Sequence, residues 1–158
     1  MKLNDLRIDI ETEFSLIRDT LSEINEIKFH LFDNLLSKSD VTAGATYLAQ
    51  CYNGYENILK RIIKYIGFPM PSGAFWHVEL LSLFIESPEH NALLPVLIRQ
   101  DFFPAFTALR KIRHTVVHGY AIRLGWEFIA TQFETVGKIN DEFKLQVMSF
   151  IESIQENL

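Results

Sequence analysis

Apolar residues recur every three or four positions from Leu3 through Leu6, Ile10, Phe14, Ile17, Leu21, Ile24, Ile27, Leu31 and Leu35. They do so again from Phe128 through Phe133, Val136, Ile139, Phe143, Val147, Phe150 and Ile154. A helix turns by about 100° per residue, so this spacing collects one oily face, whereas a half-buried strand needs period two. Two long amphipathic helices therefore open and close the chain, the last from about Trp126 to Glu156, and neither can bury its apolar face without other helices. Both are longer than a bundle of this size needs, so an exposed apolar strip on one of them could serve a homodimer.

The interior reads as helical too. "SKSD" breaks the first pattern and offers N-caps for a second helix from about Val41 to Ile66, which "GFPMPSG" ends. "AFWHVELLSLFIES" predicts a shorter third helix closed before Pro88, and "PEHNALLPVLIRQ" a loop with one helical piece interrupted by Pro95. A fourth helix should run from about Phe103 to Tyr120, with Pro104 in its first turn. Seven glycines and five prolines are too few for the turns of an all-β chain, so the expected fold is an all-α bundle of about five helices in one domain, residues 1–158. The thirteen phenylalanines are expected mostly in the core.

Composition narrows the functional classes. Twenty acidic against fifteen basic residues, net charge -5, argue against general coating of nucleic acid and leave room only for a small local phosphate site. The single Cys51 excludes an internal disulfide and fits a reducing compartment, with the cytoplasm as the default. "MKLNDLRIDIETEF" has no signal-peptide core, and no apolar run approaches the roughly 18 residues of a membrane span. No membrane association is expected.

Against that acidic background stands "RKIRHTVVHGY", Arg110 to Tyr120. It is either a solvated basic face or an active site. His114 and His118, four apart, share a side of a helix, as half of a zinc site would, but the glutamate of the metalloprotease motif is missing and a third ligand would have to come from His77, His90 or a carboxylate. Metal-free RNA cleavage is the alternative chemistry. A histidine takes the proton from a 2′-hydroxyl while a guanidinium stabilises charge on the phosphate. Arg113 and His118 have the right types, yet five residues set them about 140° apart on a regular helix. They could converge only near a helix end, which Gly119 makes possible, by side-chain reach, or across two subunits.

Arg113, His118 and Tyr120 read as R-x4-H-x-Y, and this resembles the signature of HepT toxins in the HEPN superfamily of small helical ribonucleases. "YNGYENILKRI" (Tyr52 to Ile62), "SGAFWHVELL" (Ser72 to Leu81) and "RHTVVHGYAIRLGWE" (Arg113 to Glu127) are similar, in order, to three blocks of a HepT-like branch. His114 replaces the Asn or Asp common after the arginine, and no Arg-Pro pair precedes the block. The resemblance implies the toxin of an MntA/HepT-type, type VII-like toxin–antitoxin pair: a homodimeric endoribonuclease that uses neither metal nor cofactor, with Arg113 and His118 catalytic at a cleft shared by both subunits. Its implied partners are RNA and an antitoxin of minimal nucleotidyltransferase fold that adds AMP to Tyr120; DNA is not among them. A non-catalytic helical module that binds such a nucleotidyltransferase and RNA or nucleotide is the rival reading.

Other polar residues take supporting roles. Glu56, with Tyr52 and Asn53 one turn earlier, either holds the arginine of the fourth helix through a buried network or touches RNA. Trp76, beside His77, either packs on the fourth helix or stacks on a base. Arg110, Lys111 and Arg123 could enlarge a phosphate site, and Lys60, Arg61 and Lys64 read as a solvated face.

Overall fold

The computed structural model describes residues 1–31 and 37–157. Its helices are α1 (Leu3–Leu31), α2 (Lys38–Ile66), α3 (Trp76–Ser82), α4 (Phe103–Val117) and α5 (Trp126–Glu156), with 3-10 turns at Gln100–Phe102 and Ala121–Arg123. The architecture is the all-α bundle that the periodicity predicts. The apolar face expected to continue to Leu35 lies, at that residue, outside the described part. No helix among the described residues is long and apolar enough to cross a membrane.

α2 begins three residues earlier than the spacing suggested because Ser37 caps it. The Ser37 hydroxyl accepts from the Asp40 amide (3.2 Å), and the Asp40 carboxylate accepts from the Ser37 amide (2.8 Å). This reciprocal capping box satisfies two donors the first turn would otherwise leave bare. Those bonds hold the Asp40 carboxyl below its ordinary range, the backbone bond contributing most.

From that start α2 runs through the middle of the molecule, packing on α1, α3, α4 and α5. Two glycines permit the closest approaches. A Cβ on Gly54 would stand 2.7 Å from the Ile17 side chain of α1, and one on Gly44 2.5 Å from the Phe133 ring of α5. Glycine weakens a helix interior by about 1 kcal/mol, and here that cost is offset by contact that any larger residue would push apart.

The predicted α1 face is buried at Leu6, Ile10, Phe14, Ile17, Ile24 and Ile27. On α5 the pattern needs one correction. Phe128 is partly exposed and Ile129 takes the buried position, because Ile129 lies one turn before Phe133 whereas Phe128 lies about 140° away from it. At the centre Tyr55, Phe106 and Phe143 meet edge to face with centroids 5.2–5.6 Å apart, and the Tyr55 hydroxyl donates to Asn140 Oδ1 at 3.0 Å. Burial raises the Tyr55 pKa well above its ordinary value and pushes the Cys51 thiol up to about 12, so both are core groups. The phenylalanines divide: Phe14, Phe84, Phe106, Phe133 and Phe143 are buried, while Phe29 and Phe75 are exposed.

Between α3 and α4 the helical piece expected in "PEHNALLPVLIRQ" does not form. Pro95 cannot donate to a helix ladder, and the Asn91 side chain accepts from the Leu93 amide (2.9 Å) in a turn instead. The loop returns beside its own start: Ile85 and Ile98 form an isolated parallel bridge, and Phe84, Leu94, Leu97 and Ile98 are buried beneath it. Another correction concerns Arg61, which is no solvated cation but bridges Asp9 and Glu13 of α1. Lys64 is exposed.

Candidate functional site

α4 buries Phe106, Leu109 and Ile112. Arg113 follows Leu109 by four residues, so it stands at the edge of the buried face and reaches toward α2 and α3. Its Nε donates to Asn53 Oδ1 (2.9 Å), and its Nη1 lies 3.2 Å from His77 Nε2. A guanidinium nitrogen only donates, so His77 Nε2 must accept, which places the imidazole proton on Nδ1. Nδ1 faces Glu56 Oε2 at 2.6 Å, and that carboxylate also holds Lys60 at 3.1 Å. Glu56 is buried, so the chain Glu56, His77, Arg113 is a relay that orients the guanidinium from inside the fold.

Charge in this network does not cancel. Glu56 is balanced by Lys60, and His77 is neutral in the tautomer its partners require, so one positive charge is left on Arg113. Its Nη2 has no hydrogen-bond partner among the described residues. Below the relay the buried Tyr52 hydroxyl has no aligned partner. Burial first, then the Glu56 charge, push its pKa up, with Arg110 and Arg113 opposing.

Trp76, read as packing on α4 or stacking on a base, packs against the core, with Lys60 Nζ 4.5 Å from its ring and its ring stacked on His77 at 3.5 Å. Lys60 is thus part of the site rather than of a solvated face. Its spacing of four from Glu56 was the available signal.

α4 ends at Val117, not at Tyr120. His118 is the last residue near helical geometry, Gly119 is left-handed (φ 79°), and two bonds close the end: Gly119 N–H to Val116 O and Tyr120 N–H to Thr115 O, both 3.0 Å. This is a Schellman motif, and it carries Tyr120 off the helix that the sequence extended to that residue. His118 is exposed with its ring 4.3 Å from that of His114, edge to face. Among the described residues no third histidine, cysteine or carboxylate joins that pair in a metal-binding group. Tyr120 lies beyond the turn, half exposed, with the Arg123 guanidinium 5.1 Å from its ring.

The structure therefore joins Asn53, Glu56, Trp76, His77 and Arg113 in one network. Arg110 and His114 line a groove that His77 also borders, and no hydrogen bond connects Arg113 to His118 within the chain. Phe75, on the other wall of that groove, was missed; nothing in its sequence setting marks it out from a core phenylalanine.

The sequence pattern of the HepT-like protein family matches residues 43–154, a span that holds every residue of the network, both α4 histidines and Tyr120. No curated protein and no solved structure matches the chain. On the match over most of its length, the chain belongs to the family of HepT-like proteins.

Proposed function

We propose that this HepT-like protein is the toxin of a toxin–antitoxin pair and cleaves RNA without a metal. The observation that carries the reading is Arg113: a guanidinium held at Nε and Nη1, with Nη2 uncommitted and an unbalanced positive charge, five residues before an exposed histidine at an ordered helix end. A phosphate accepted by Nη2 would meet a donor whose orientation is set before substrate arrives. His118 takes the proton from the 2′-hydroxyl. The 2′-oxygen bonds to phosphorus, the bond to the 5′-oxygen breaks, and that oxygen leaves with a proton from solvent. Arg113 stabilises the charge that builds on the phosphate oxygens.

The pair is completed in a homodimer whose α4 helices meet at one cleft. Supporting this are the exposed Val117, Tyr120 and Ile122, an apolar margin beside the site that nothing among the described residues covers. Neutralisation follows from the same surface. A nucleotidyltransferase antitoxin adds AMP to the accessible Tyr120, placing negative charge and bulk beside Arg123 and at the entrance for RNA.

Cleavage of RNA in excess EDTA by the wild type, with a loss of about 10²–10⁴-fold in His118→Ala and about 10²–10³-fold in Arg113→Ala, is the expected result. Undiminished cleavage by His118→Ala would assign the activity to a contaminant. RNA bound by every variant and cut by none would favour the non-catalytic module.

A further inference from the structure

The groove between the start of α3 and α4 has a volume of about 540 Å³. Phe75 and Val78 form one wall, Arg110, Lys111 and His114 the other, and His77 the end nearest Arg113. We infer that it is a subsite for one nucleotide of single-stranded RNA, in which a base stacks on Phe75 and the adjoining phosphate is held by Arg110 and Lys111. The inference rests on the ribonuclease reading for its substrate class and adds where the strand runs beyond the scissile phosphate.

Four observations converge on it. Phe75 is 73% exposed, a large ring left in water beside a cleft. No carboxylate lines the groove, although the chain has more acidic than basic residues. Arg110 and Lys111 have no ion-pair partner among the described residues, whereas Lys60, Arg61 and Arg99 are each committed to carboxylates. The groove also continues into the proposed catalytic pair at both ends: His77 touches Arg113, and the His114 ring adjoins that of His118. An aromatic face opposite free cations is the arrangement that holds an unstacked base and its phosphate, and a duplex, whose bases are already stacked and paired, cannot fill it.

The test uses full-length His118→Ala protein, so that binding is read apart from cleavage, and fluorescein-labelled RNA decamers followed by anisotropy. Adding Phe75→Ala should weaken single-strand binding by about 5- to 150-fold, and Phe75→Trp should restore it. Adding Lys111→Ala should weaken binding and reduce the slope of log affinity against log salt by about 0.7, which Phe75→Ala should leave unchanged. A change under twofold for Phe75→Ala overturns the subsite. So does light scattering that finds Phe75→Ala monomeric where the parent is dimeric, because the groove is then a contact between copies of the chain. The two proposals fail separately: wild-type cleavage in EDTA with binding indifferent to Phe75 refutes only the subsite, and Phe75-dependent binding without cleavage refutes only the ribonuclease.

Discussion

Glu56→Gln tests the relay at its buried end. The substitution keeps the shape of the side chain and removes its charge. If the amide oxygen faces His77, the amide nitrogen points at the Lys60 ammonium, donor against donor. If the amide turns over, its nitrogen faces His77 Nδ1, the imidazole proton moves to Nε2, and that N–H opposes the Arg113 Nη1 donor that now lies 3.2 Å away. Neither orientation satisfies all three groups. A charge-assisted bond contributes about 1.5–3 kcal/mol. The larger loss of about 3–5 kcal/mol expected for a fully buried broken pair does not apply, since the Lys60 side chain is 36% exposed and can turn into water. For a domain of this size the expected fall in Tm is roughly 3–12 °C. RNA cleavage should drop about tenfold or more, yet less than in Arg113→Ala, because the guanidinium remains but its aim is lost. Thermal melts of Glu56→Gln, His77→Ala and the double variant measure the coupling, which should be at least about 0.5 kcal/mol. A Glu56→Gln protein melting within a degree of the wild type, or strict additivity in the cycle, would show that the relay holds nothing.

Two further predictions address the helix ends. Gly119→Ala forces an L-residue to φ 79° with no neighbour within 4 Å of the new Cβ, so the cost is backbone strain alone, about 1–2 kcal/mol, read as a Tm lower by roughly 2–8 °C. Gly119→Asn should recover much of it, and equal melting of all three would refute the Schellman assignment. The folded-state pKa of Asp40 is depressed by the Ser37 bonds, so the stabilisation from the capping box is complete above the ordinary carboxyl pKa of about 3.9 and lost as pH falls through the lower folded value. The gap in urea midpoint between wild type and Asp40→Ala should therefore be present at neutral pH and close at the acid end; a gap that does not depend on pH refutes the linkage.

What could be read in advance follows the range of the interaction involved. α5 was legible to its ends, since 31 residues of three-four spacing leave little choice, although Phe128 was misplaced on its face. The end of α4 was harder. Gly119 signalled a possible break, but whether the chain stops there depends on two backbone bonds that only the left-handed turn can make. Glu56 was expected to hold the arginine of α4, and it does so through His77, an intermediary 21 residues from one partner and 36 from the other. No local pattern encodes such a triangle. It needs α2, α3 and α4 to meet, which tertiary packing decides. Lys60 and Arg61 were misread for a related reason: adjacent basic residues on a helix look alike in sequence, and one turns inward to Glu56 while the other crosses to α1.

The acidity of the chain and the basicity of its proposed site are reconciled by where the carboxylates go. Asp9 and Glu13 of α1 are spent on Arg61, and Glu142 of α5 lies near Arg99. The buried Glu56 faces α3 and is matched by Lys60. On α4 Arg113 instead meets neutral acceptors, Asn53 and the imidazole of His77, which fix its direction without cancelling its charge. An aspartate at position 53 would hold the arginine more tightly and remove the surplus that a phosphate needs. Neutral partners can both aim a guanidinium and leave it attractive to an anion, and that choice is what lets a chain of net charge -5 keep one basic face.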